Sequence, residues 1–187
     1  MNDKDKDIYI VFKGLKSKGE YINKEFNRTK INKEYFNKLK DKTDPVSILE
    51  KIKYSFFNKG KSYSPSIIKR GTIQTDFSKF KDKLKNTTIL NKDALEVIKK
   101  YDSLKTFFYL DPPYENLKQN DYKNYIDPQE LYNVLKNIKG KFLLSYNDSE
   151  NIRNIFKEFD KHQIKTKYSR TQYIKERPKT ELIIKNY

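Results

Sequence analysis

Residues 111–114, Asp-Pro-Pro-Tyr, place three chemical groups within four positions: a carboxylate, a Pro-Pro carbonyl held in a rigid shape, and an aromatic ring. They follow Phe107–Leu110, a short apolar and aromatic run that reads as a buried strand. Asp111 ends the run, and the two prolines forbid the ladder from continuing because neither has an N–H to give. The three groups are thus delivered together at the C-terminal end of a strand, the end at which open α/β sheets bind ligands. The alternative is a strand followed by an Asp-Pro turn and an accidental tyrosine.

Composition narrows what such a site serves. At 187 residues, length alone indicates one domain with room for a core. Hydrophobic and charged residues each make up 35%, so that core is small relative to the surface, and 15 Tyr and 12 Phe partly offset this by burying large areas. The formal charge of +16 points to a polyanionic partner, with a merely solvated Lys-rich and Asn-rich surface as the other reading. With no cysteine there is neither a disulfide nor a thiolate metal site. His162, the single histidine, stands in a polar stretch and reads as a surface residue. No run has the apolar length of a membrane span and no signal peptide is visible, so a soluble, intracellular protein is expected.

The elements that must position the site follow from spacing and punctuation. Asp7 is expected to cap a helix carrying Ile8, Val11, Phe12 and Leu15 on one face. A second helix is expected over about 32–40, and a third opens at Asp44-Pro45. Its stripe of Val46, Leu49, Ile52, Phe56 and Phe57 runs to Gly60, read as a C-terminal stop. Residues 59–77 interleave basic residues, hydroxyls and an aromatic on a loop. There Lys59, Lys61, Lys69 and Arg70 are candidates for phosphate contacts, and Ser62, Tyr63 and Ser64 for adaptable donors.

Thr87–Leu90 reads as a strand ending in Asn-Lys-Asp, followed by a helix using Leu95, Val97 and Ile98. After the motif, residues 115–126 lack periodicity and would form a lid or a loop near the ligand. Asp127-Pro128 opens a helix bearing Leu131, Val134, Leu135 and Ile138, with Gly140 read as its stop. Phe142–Ser145 is the next strand, running into Tyr146-Asn147-Asp148. A helix with Ile152, Ile155, Phe156 and Phe159 comes next, and strands around 164–168 and 181–185 suit an antiparallel hairpin. Residues 87–187 thus read β-α-β-α-β-α-β-β, an α/β arrangement that begins with a parallel series.

This second half resembles the C-terminal portion of the Dam-like, D12-class adenine-N6 DNA methyltransferases. The likeness lies in Thr-Ile-Leu-Asn-Lys-Asp at 88–93, Asp-Pro-Pro-Tyr itself, Leu-Leu-Ser-Tyr-Asn-Asp at 143–148 and Thr-Glu-Leu-Ile-Ile at 180–184. The family orders a cofactor loop, a helical target-recognition insertion and then the catalytic motif. The resemblance therefore implies a Rossmann-like sheet for S-adenosylmethionine, with residues 1–80 holding the end of a cofactor strand plus the helical insertion, and 81–187 the catalytic half.

The same resemblance implies methyl transfer to the N6 amine of an adenine flipped out of DNA. Such an amine is a poor nucleophile while conjugated to its ring. Hydrogen bonds from it to the Asp111 carboxylate and the Pro112 carbonyl would favour tetrahedral nitrogen, Pro113 would fix the loop, and Tyr114 would stack on the base. Asp3, at the end of what resembles the family's second strand, is the candidate for the cofactor ribose hydroxyls, with a disordered charged terminus as the other reading. Asp93 is a candidate to border the cofactor adenine, or else a helix N-cap, and Asp111 would also face the cofactor. Lys61, Arg70, Arg170, Lys175 and Arg177 are the candidate phosphate contacts.

One departure stands out. The family carries a first strand and a Phe-x-Gly-Gly loop that approaches the cofactor so closely that a Cβ would obstruct it. The five glycines here, at 14, 19, 60, 71 and 140, are not in such a loop. The expectation is a truncated or split enzyme whose exposed sheet edge is met by a second chain supplying that motif. The rival expectation is an inactive nucleic-acid-binding subunit or remnant, and a third is methylation of RNA or protein amides.

Overall fold

The computed structural model describes residues 1–28, 30–56, 60–65, 76–114, 125–166 and 179–187, which fall into two compact units, Met1–Lys92 and Asp93–Tyr187.

The first unit is helical: α1 (Lys6–Arg28), α2 (Lys33–Lys38), α3 (Pro45–Lys53) and α4 (Phe80–Leu84). The cap of α1 is Asp5 rather than Asp7, because the Asp5 carboxylate accepts from the N–H of Asp7 at 2.8 Å. Val11 and Leu15 are buried as their spacing predicts, and the helix continues through a kink at Lys18 to bury Ile22 and Phe26 as well. Gly14 and Gly19 both lie inside α1. A Cβ on Gly14 would stand 2.6 Å from Pro45 Cγ, so glycine is what lets α3 pack this closely.

Asp44 caps α3 through the N–H groups of Val46 and Ser47, as predicted. The expected stripe does not hold to the end. The helix stops at Lys53, and its buried positions are Ser47, Ile48 and Glu50. Beyond it Ser55 and Tyr63 form an antiparallel bridge, and Gly60, with φ +70°, sits in the turn between them instead of ending the helix. Tyr63 tilts against Phe36 at 5.7 Å, and Ser64 is buried with its N–H on the Tyr54 carbonyl. These two residues belong to the packing of this unit, which corrects their reading as open-loop donors.

The second unit is a two-layer α/β arrangement of α5 (Ala94–Tyr101), β1 (Phe107–Leu110), α6 (Pro128–Leu135), β2 (Lys141–Asn147), α7 (Glu150–Ile155), β3 (Asp160–Thr166) and β4 (Lys179–Lys185). Strand order is β1-β2-β4-β3, with β1 parallel to β2 and the other pairs antiparallel. The antiparallel pairing of the last two strands is as expected, and β4 additionally enters between β2 and β3. One sheet face carries Phe142, Leu144, Tyr146, Leu182 and Ile184, all 0–1% exposed, against Ile98, Leu131, Leu135, Ile152 and Phe156. Alternation puts Phe107, Tyr109, Leu143 and Ser145 on the opposite face.

Gly140 is not a helix stop either. Helix α6 ends at Leu135, and Gly140 enters β2 where a Cβ would lie 2.7 Å from the Thr106 carbonyl oxygen. Phe108 packs against the core as expected, whereas Tyr109 is 66% exposed. Its outward face is the reason: β1 is an outer strand, and among the described residues it has one strand neighbour.

Candidate functional site

The pairing of β1 with β2 sets the geometry of the Asp-Pro-Pro-Tyr turn. The ladder closes at Leu110 opposite Leu144, and β2 runs on past the point where the prolines end β1. The next two residues of β2, Ser145 and Tyr146, therefore lie alongside the turn. The Ser145 hydroxyl donates to Asp111 Oδ1 at 2.7 Å. The Tyr146 hydroxyl reaches the Pro113 carbonyl at 3.4 Å, and its ring stacks on Tyr114 at 5.7 Å with 25° between planes.

Exposure divides these groups by role. Asp111 is exposed, Pro113 and Tyr114 are half-buried, and Pro112, Ser145 and Tyr146 are buried. A carboxylate fixed from below by a hydroxyl, beside a half-open aromatic ring, can receive a planar ligand bearing N–H donors. The sequence reading quoted Ser145 and Tyr146 as part of a likeness and gave them no role. The only local signal was a hydroxyl and a phenol at a strand end.

Asp148 follows directly on the C-terminal end of β2. Its carboxylate is gripped by Arg153, Nε at 2.6 Å and Nη2 at 2.9 Å, and by Gln163 Nε2 at 2.6 Å. The Arg153 hydrogen bonds hold the Asp148 carboxyl below its ordinary range, with Gln163 adding to the effect against the opposing pull of desolvation.

Asp3 lies in the first unit. Met1–Asp3 forms a parallel bridge with Thr88–Leu90, through Leu90 N–H on Met1 O at 3.0 Å and Asp3 N–H on Leu90 O at 3.2 Å. Asn2 locks the register, trading two 3.0 Å hydrogen bonds with the backbone of Lys92, and Asn91 caps the carbonyls of Asp3 and Lys4. Residues 1–3 are thus joined to 88–90 by one isolated parallel bridge and these side-chain hydrogen bonds. Burial raises the Asp3 carboxyl above its ordinary range, the Asp5 carboxylate adds to this, and the Asp5 N–H opposes it.

Asp93 opens the second unit as the N-cap of α5, accepting from Leu95 N–H at 3.0 Å. Lys61 is exposed next to Gly60. Arg70, Arg170, Lys175 and Arg177 lie outside the described residues, as do Lys59, Lys69 and 115–124 of the expected lid. Among the described residues no helix is long and apolar enough to cross a membrane, and no cluster of His, Asp and Glu could hold a metal ion.

A comparison with curated proteins gave no match. A family model described as D12 class N6 adenine-specific DNA methyltransferase matches residues 1–170 of the 187. The four-stranded mixed sheet with its parallel β1–β2 pair fits a methyltransferase-like fold. This chain belongs to the D12 class N6 adenine-specific DNA methyltransferase family.

Proposed function

We propose that this chain takes part in methylation of the N6 amine of adenine in DNA, and that the Asp111–Tyr114 turn captures the flipped base. The observation that carries the reading is the Ser145–Asp111 hydrogen bond at the end of β1, beside the half-buried Tyr114 ring. The Asp111 carboxylate takes one N–H of the amine and the Pro112 carbonyl the other. With both protons held, the nitrogen lone pair is drawn out of conjugation and aimed away from these acceptors. Tyr114, backed by Tyr146, stacks on the ring and offsets part of the unstacking cost of leaving the helix. Pro113 keeps the turn in one shape. The net charge of +16 supports a DNA partner, and Lys61, Arg70, Arg170, Lys175 and Arg177 are the proposed phosphate contacts.

The methyl donor implied by the family is S-adenosylmethionine, which supplies an electrophilic methyl group. The described residues fit it only in part. Asp3, in the first unit, has the acceptors that ribose hydroxyls need, and Asp111 is the proposed cofactor contact of the second unit. The glycines at 14, 19, 60 and 140, however, lie in α1, in a turn and at the entry to β2, and none makes a strand-to-helix loop. Gly71 lies outside the described residues, and a segment other than the four described glycines is proposed to let the donor approach closely. The outer edge of β1, with Phe107 53% and Tyr109 66% exposed, suits pairing with a further parallel strand that leads into such a loop. A second chain carrying that strand is the proposed partner and would extend the second unit's sheet toward a Rossmann-like one; target recognition is the proposed role of the helical unit.

The test is mass-spectrometric detection of N6-methyladenine in duplex DNA treated with the protein and donor, set against RNA and cytosine controls. Methylation that survives Asp111→Ala contradicts the mechanism. The glycine placement favours a second reading, a non-catalytic DNA-binding subunit, which predicts DNA binding with no methylation under any completion of the sheet.

A further inference from the structure

We infer that Ser145 is a positioning residue for the reaction, setting the Asp111 carboxylate in the rotamer that meets the amine, with Tyr146 as the second support of the same turn. The inference rests on the amine-capture reading above and extends it to residues that touch no substrate.

Beyond Leu110 the prolines end the ladder, so strand pairing does not fix Asp111. An exposed aspartate on such a turn has several rotamers of similar energy, and an amine bound through it would lose affinity to the ordering cost. The Ser145 hydroxyl removes that freedom. It is 7% exposed, it stands on a strand paired on both sides, and it donates to Oδ1 at 2.7 Å. Because the hydroxyl occupies Oδ1, Oδ2 is the oxygen presented to a ligand. Serine suits the position for a second reason: it donates a hydrogen bond to the carboxylate and adds no charge that would compete with the incoming N–H.

Tyr146 acts on the other half of the turn. It is fully buried, its hydroxyl reaches the Pro113 carbonyl, and its ring lies parallel to Tyr114. A ring already stacked on one side is held flat for a base arriving on the other. Both supports come from adjacent residues of one strand, with alternate side chains reaching the two halves of the turn.

The experiment compares binding of the full chain to two duplexes with randomised flanks. One carries an adenine opposite an abasic site, the other a purine nucleoside lacking the 6-amine. Ser145→Ala is expected to cut the preference for adenine over purine by about fivefold through weaker binding of the adenine duplex, with affinity for the purine duplex and melting temperature unchanged. Ser145→Thr, which restores the donor, is expected to restore the preference. Tyr146→Phe keeps the ring and removes the long 3.4 Å contact to the Pro113 carbonyl, so its effect should be smaller than that of Ser145→Ala. An unchanged preference in Ser145→Ala, or a loss that Ser145→Thr does not rescue, overturns the positioning role. If the wild type itself does not distinguish adenine from purine, the amine-capture reading fails. The Asp111 rotamer in structures of wild type and Ser145→Ala then decides the inference: a shifted or disordered carboxylate supports it, and an unchanged one overturns it.

Discussion

Arg153 holds Asp148 by a two-pronged ion pair at the end of β2, and the two side chains differ sharply in exposure, 44% for the arginine and 10% for the aspartate. The Asp148 carboxyl is held below its ordinary range, so it is charged more readily folded than unfolded. A depressed carboxyl contributes stability above its unfolded pKa and loses it as pH falls through the folded one. Asp148→Asn should therefore lower the melting temperature at neutral pH. The gap between variant and wild type should begin to narrow as pH falls below about 4, where the unfolded carboxyl protonates, and close only below the lower pKa of the folded state. Melting curves across pH 3–8 check this, and a gap independent of pH would assign the loss to packing.

Asp3 has the opposite sign. Burial raises its carboxyl, so the folded first unit carries a penalty that is full at neutral pH and disappears as pH falls below the ordinary carboxylate range. Asp3→Asn keeps an oxygen for the Asp5 N–H and removes the buried charge. It is expected to raise stability at pH 7, with no gain at low pH, while weakening donor binding if Asp3 meets ribose hydroxyls. Thermal melts read the first effect, and calorimetric titration reads the second.

Gly140 sits where the chain enters β2 against two backbone carbonyls, those of Thr106 and Ser103, at 2.7 and 2.9 Å from the position of a Cβ. Neither carbonyl can swing aside as a flexible side chain could. Gly140→Ala should cost roughly 1–3 kcal/mol, as overpacking of a filled site does. Denaturant unfolding measures it, and a neutral result would show that the 103–106 turn can yield.

The outer edge of β1 predicts how the chain behaves without its proposed partner. Titration of the purified chain with S-adenosylmethionine should show only weak binding, because the described glycines build no close-approach loop. Tyr109→Lys, which puts a charge on the open face of the outer strand, should leave the melting temperature unchanged and weaken binding of the strand-bearing partner. Tight donor binding by this chain alone would remove the need for a second chain.

Much of this was legible in sequence wherever the cause was local. Asp44-Pro45 and Asp127-Pro128 open helices because cap and ring act within four residues, and both do so here. The Phe107–Leu110 strand and its abrupt end were equally readable from the prolines. Glycine misled twice, because one residue type serves several needs. Gly60 supplies a positive φ in a turn, and Gly140 a close approach to Thr106, a neighbour 34 positions back in the chain. The link between Ser145 and Asp111 was hidden for the same reason. It depends on the register of two strands separated by a helix, and nothing near either residue announces it.

The most direct test of amine capture at Asp111 is a binding competition between duplexes that differ only in the 6-amine of an unpaired base. Wild type should favour adenine over purine about tenfold, the worth of one hydrogen bond to a charged acceptor. Asp111→Ala should remove most of the preference, leaving at most the share of the Pro112 carbonyl, while keeping the affinity contributed by phosphate contacts. Equal binding of the two duplexes by wild type, or a preference that Asp111→Ala leaves undiminished, would contradict it.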